Sequence, residues 1–124
     1  MKQGCFLLAE SGRPLWPDVR VMEGWLERYY GLKKYPNMPS NRALWLPNCN
    51  AIHSFGMAVA IDVIGLNAGF QIISVRRNLR PQVMLRIPQA TSIIECEAGV
   101  ALPLEHWLGK QLRFIQKDHC NVAF

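Results

Sequence analysis

The stretch AVAIDVIGLNAGFQIISVR, residues 58–76, decides how this chain folds. Two runs rich in Val and Ile flank Asn67-Ala68-Gly69, and a turn cluster between two such runs reads as a β-hairpin. A hydropathy scan alone would favour a membrane span here, but a spanning helix needs about twenty continuous apolar residues. The turn cluster interrupts that run, so no transmembrane segment is expected. Val59, Ile61 and Val63 alternate with Ala60, Asp62 and Ile64, which makes the strands at 58–66 and 70–76 apolar on both faces. Such a hairpin is expected in the centre of a sheet. Asp62, the single formal charge between Ala43 and Val75, is then expected inside the protein.

Working outward, the pattern predicts short strands at 5–9, 18–22, 42–46, 83–87, 91–97 and 111–116, with turn signals between them. Trp25, Leu26, Tyr29 and Tyr30 recur at helical spacing and predict a helix over 23–32. Residues 33–41 are a proline-broken loop. Pro103 can start, and Gly109 can end, a helical turn at 104–108. The expected fold is mainly β, a small sandwich- or barrel-like single domain with one or two short helices.

At 124 residues the chain has the size of one domain, taken as 1–124, and can bury a core without metal or disulfide support. Half of the residues are hydrophobic and 19% are charged, a globular composition. The formal net charge of +5 raises nucleic acid as a partner. The basic residues do not cluster to match: Lys33-Lys34 is one pair, Arg76, Arg77, Arg80 and Arg86 form a loose group, and no recognition motif accompanies them. A solvated basic face is expected, and nucleic acid is not. Cys5, Cys49, Cys96 and Cys120 lack the paired spacing of zinc or redox motifs and read as free thiols. The apolar run at 5–9 breaks at Glu10 and does not make a cleavable signal, so a cytoplasmic location is expected.

Chemistry-bearing residues concentrate in NCNAIHSFGMAVAID, residues 48–62. Cys49, His53 and Met57 resemble the ligand types of a blue-copper loop, but that site needs a second histidine upstream and none precedes His53. Packing is the expected role of Cys49 and Met57, with no metal and no cofactor. Asp62 is the stronger clue, because a carboxylate in an apolar strand is costly without partners. Backbone N–H groups, His53, or one of Arg76, Arg77 and Arg80 could supply them. Paired with His53, the carboxylate would raise the basicity of the ring; otherwise it pins the loop 47–57 to the sheet. Ser54 and Cys49 are the nearest nucleophiles, and neither lies in an elbow motif. No phosphate loop or dinucleotide fingerprint is present.

Residues 43–81, ALWLPNCNAIHSFGMAVAIDVIGLNAGFQIISVRRNLRP, together with ERYYGL at 27–32 and SIIECEAG at 92–99, resemble the prokaryotic domain of unknown function 192 family. The resemblance covers about residues 5–116 and implies a mainly β, sandwich-like domain with short helices and no assigned activity. Members often carry a basic residue after the methionine and a proline before the Ile-Asp pair; this chain has Ala58 and Ala60 there. Many relatives are exported. The expected function is a binding or accessory module for a small ligand or a protein. Its candidate pocket is formed by Cys49, Asn50, His53, Phe55, Met57 and Asp62, with Arg76, Arg77 and Arg80 as anion-facing residues. The alternative is a small-molecule hydrolase or isomerase with His53 as general base.

Overall fold

The computed structural model describes residues 2–24, 39–53 and 59–117. Among them are nine strands: β1 (Gln3–Leu8), β2 (Pro14–Val21), β3 (Arg42–Pro47), β4 (Ala51–His53), β5 (Ile61–Leu66), β6 (Ile72–Leu79), β7 (Met84–Arg86), β8 (Ser92–Glu97) and β9 (Leu112–Gln116). A single 3-10 turn spans Leu104–Trp107. No helix among the described residues is long and apolar enough to cross a membrane. The helix expected over 23–32 lies, apart from Glu23 and Gly24, outside the described residues.

Seven strands form one mixed sheet in the order β6-β5-β8-β3-β2-β1-β9, and β4 pairs with β7 in a separate two-stranded ribbon. Only β2 and β3 run parallel within the large sheet. Residues 22–41 separate these two strands, long enough for the crossover that parallel pairing requires. Asp18 reinforces this junction, accepting hydrogen bonds from Arg20 Nε at 2.8 Å and Arg42 Nε at 2.9 Å.

The sheet curls so that its two edges approach at one end. Gln71 bridges Gln111, Leu112 N donates to Phe70 O, and Gly109 N donates to Ile72 O, each at 2.8 Å. The sheet is not closed along its length. Inside the curl lie Phe6, Trp16, Ile64, Ile72, Ile94 and Leu112, drawn from strands across the whole sheet. Trp45, Phe70 and Phe114 pack against this core, and with Phe6 they form a ring cluster whose contacting centroids are 4.9–5.6 Å apart. The outer face carries a second core of Leu44, Leu46, Ile61, Val63, Leu79 and Ile93, which packs with Ile52, Leu85 and Ile87 of the ribbon and its continuation. The expectation of a mainly β, barrel- or sandwich-like domain therefore describes the fold: one curled sheet with a core on each face.

Two core faces explain why β5 is buried at all six positions. The hairpin as a whole is not central, however, and that expectation is corrected: β6 is the edge strand. It extends to Leu79, past the expected end at Arg76, and carries the polar residues Ser74, Arg76, Arg77 and Asn78. At the hairpin turn Asn67 Oδ1 accepts from Gly69 N at 3.0 Å and Gln71 N at 2.9 Å. The left-handed residue there is Phe70 (φ +61°) rather than the glycine. Strand β2 starts at Pro14, earlier than expected, because Pro17 sits in a register shift against β1 where no ladder N–H is needed.

One close approach fixes a residue choice. A Cβ on Gly4 would meet the carbonyl oxygen of Ile115 and lie 2.6 Å from the Phe114 ring. Gly4→Ala is expected to lower stability by about 2 kcal/mol, read as a shift in the urea midpoint, since overpacking against backbone has no flexible side chain to absorb it.

Candidate functional site

Asp62 is fully buried, as expected, and it projects to the inner face opposite Cys96. Its Oδ1 accepts from Asn78 N at 2.8 Å. Its Oδ2 accepts from Arg77 Nη1 at 2.7 Å, Gly99 N at 2.9 Å and Val100 N at 3.2 Å. Four donors satisfy an ionised carboxylate without solvent. The partner is Arg77, one of the three arginines named from sequence.

Arg77 is occupied just as fully. Its Nη1 also donates to Val100 O at 3.1 Å, and Nη2 donates to Leu102 O at 2.6 Å and Glu105 Oε1 at 2.9 Å. Nε donates to Glu105 Oε2 at 2.7 Å, so all five guanidinium donors have acceptors. The bidentate hydrogen bond from Arg77 holds the Glu105 carboxyl down at about 2. Glu105 and Asp62 together hold the guanidinium charged. This cluster fastens the segment 98–107, with Leu104 and Trp107 plugging the inner core, onto the end of the curled sheet. Among the described residues the loop that Asp62 pins is therefore 98–103, whereas the sequence expectation was 47–57, of which residues 54–57 lie outside the described residues.

The loop after β3 is built separately. Asn48 turns the chain in the left-handed region (φ +53°). Cys49 N donates to Thr91 O at 3.0 Å and Ile87 N to Asn50 O at 2.7 Å. The Cys49 thiol, half-buried, donates to Ala51 O at 3.0 Å. Asn48, Cys49, Asn50, Ala90 and Thr91 line a shallow, open recess of about 320 Å³. Cys5 and Cys96 are buried cysteines outside any disulfide, and burial pushes the Cys96 thiol well above its ordinary value.

The backbone at His53 pairs with Met84 in the ribbon, which packs through Ile52 on the outer face. Asp62 faces the inner core, so the structure sets the ribbon and the Asp62 carboxylate on opposite faces of the sheet. Phe55 and Met57 lie outside the described residues. Arg76 and Arg80 are exposed, while Arg77 is half-buried in the cluster above. Among the described residues no three of His, Cys, Asp and Glu gather in a metal-binding group.

Sequence reasoning missed one residue. Glu95, in the middle of β8, is 2% exposed. Its register partners Leu44 and Val63 belong to the outer core. No hydrogen-bond or ion-pair partner among the described residues reaches its carboxyl, and burial alone pushes it up to about 7. The signal was present in SIIECEAG, where an acid two residues after Ile93 must share that residue's face.

The family model for domain of unknown function 192 (DUF192: Uncharacterized ACR, COG1430) matches residues 7–114. No curated protein matches the chain. Among solved structures, it is similar to a Sinorhizobium meliloti 1021 chain described as a "putative transcription regulator". The TM-score is 0.74 at 16% identity, over 91% of this chain and 92% of that one. It is also similar to a protein of unknown function from Novosphingobium aromaticivorans DSM 12444, with a TM-score of 0.73 at 14% identity over 89% and 83% of the two chains. At these identities the two structures carry the fold alone. The match spans most of the sequence, and the chain belongs to the domain of unknown function 192 family.

Proposed function

We propose that this chain is a small binding or accessory module whose recognition surface is the recess of Asn48, Cys49, Asn50, Ala90 and Thr91. The observation that carries this reading is the saturation of Asp62. Its four donors occupy both carboxylate oxygens, and the backbone of the ribbon that contains His53 lies on the other face of the sheet, which supports binding over His53-based chemistry. What remains accessible is a polar, uncharged recess beside a half-buried thiol, chemistry suited to hydrogen-bonding a ligand or a peptide rather than to proton abstraction. The regulator description of the Sinorhizobium chain adds nothing to this, because no recognition motif accompanies the basic residues here.

The test is an amide NMR titration with a mixed panel of metabolites and short peptides. Binding is expected to shift the amides of Cys49, Asn50 and Thr91 and to leave Gly99 and Val100 unmoved. Shifts confined to the Asp62 and Arg77 cluster, or substrate turnover abolished by His53→Gln, would overturn the reading.

A further inference from the structure

We propose that Glu95 is a proton-operated latch on the outer core: protonated, it allows the β4–β7 ribbon to close over the sheet, and ionised, it draws in water and loosens that cover. The argument begins with a contrast. The chain buries a carboxyl group on each of two adjacent strands, Asp62 on β5 and Glu95 on β8. Asp62 has four donors, whereas Glu95 has none among the described residues. An unpartnered carboxylate in an apolar site is costly enough that such a group takes up a proton instead.

The surroundings of Glu95 fix what its charge would disturb. On its face, Leu44 and Val63 lie across the neighbouring strands and Ile93 lies two residues back. Beyond Ile93, its partner Gly65 is overlaid by Ile87, whose side chain would sit 3.2 Å from a Cβ built there, and by Ala90. Ile87 also packs in the same cluster as Ile52 and Leu85 of the ribbon.

The charged groups that share this face by register are Glu97 on β8, Arg42 on β3, Asp18 and Arg20 on β2, and Arg76 on β6. Asp18 holds both Arg20 and Arg42. On the ribbon, Arg86 is exposed and alternates with the buried Leu85, so it faces away. The step itself is simple: the carboxyl O–H breaks, the proton passes to water, and the carboxylate then needs solvation that the closed face lacks.

The latch does not depend on what the recess binds. Its reach includes the recess nonetheless, because Ile87 N donates to Asn50 O and Ala90 N to Ile87 O. The test needs no ligand. A carbon-detected NMR titration of the parent protein should place the Glu95 carboxyl midpoint near 7, well above an ordinary glutamate. Hydrogen exchange, corrected for intrinsic rates, should show protection at Ile52, Leu85 and Ile87 falling at least tenfold between pH 6 and pH 8.5. In Glu95→Gln that protection should stay constant. A midpoint below 5 overturns the proposal, and so does an equal loss of protection in both proteins. The titration on the parent decides the matter even if the variant fails to fold.

Discussion

Asp62→Asn should cost the fold about 3 kcal/mol, visible as a lower urea midpoint at neutral pH and a melting temperature reduced by about 10 °C. The asparagine keeps the shape but replaces one acceptor oxygen with an N–H donor. Whichever way the amide turns, that donor meets either Asn78 N or the group formed by Arg77 Nη1, Gly99 N and Val100 N. At least one buried N–H loses its acceptor, and the guanidinium loses one of its two counter-charges. The loss lies at the low end for a broken buried ion pair. Arg77 is 29% exposed at its side chain and keeps Glu105, Val100 O and Leu102 O. Glu105→Gln is the control: its partner contact is at the surface, and its effect should be small beside that of Asp62→Asn. Hydrogen exchange should localise the Asp62→Asn effect to Asn78, Gly99 and Val100. A loss under about 1 kcal/mol would mean that the cluster does not fasten the 98–107 segment.

The fold was legible in this sequence because its strongest signals are local. Val and Ile runs, a turn cluster and proline or glycine punctuation each act over a few residues, and nearly every expected strand is present within two to four residues of its place. The position of the hairpin was not local. Apolar character on both faces says that a strand has two cores beside it, a condition that β5 meets at all six positions while β6, at the sheet edge, is largely half-buried or exposed. The three-residue strand β4 was missed for a related reason: its existence depends on pairing with β7, more than thirty residues later.

The site was legible in part. That Asp62 had to be buried and paired followed from its apolar neighbours, and Arg77 was among the partners considered. Which loop it held did not follow, because the choice depends on strand parity. Asp62 faces the inner core where 98–103 arrives, while the 47–53 loop leads into the outer face. Parity also hid Glu95. Its neighbours Ile94 and Cys96 point inward, and only the register with Leu44 and Val63 places the acid inside the second core.

Glu95→Gln should therefore act in the opposite sense to Asp62→Asn, and only above a certain pH. The folded carboxyl is raised from an ordinary 4.5 to about 7. Below pH 4.5 both states hold the proton and the group contributes no pH dependence. Between 4.5 and 7 the native state binds more protons than the unfolded chain, so stability falls as pH rises. Above 7 both states are ionised, and the full difference, about 3 kcal/mol at 1.36 kcal/mol per unit, stands against the fold. Glutamine occupies the same volume and never ionises. The variant should match the parent near pH 4.5, gain on it through pH 6, and exceed it by about 3 kcal/mol at pH 8, measured by urea denaturation at each pH. The Arg77-held Glu105 carboxyl acts only in acid, where its lowered value makes stability drop as pH falls towards about 2. A gap between parent and variant that stays constant from pH 4.5 to 8 would show that Glu95 is not carried neutral in the fold. A widening gap would identify a residue that weakens the protein at neutral pH, in contrast to Asp62, which serves the fold directly.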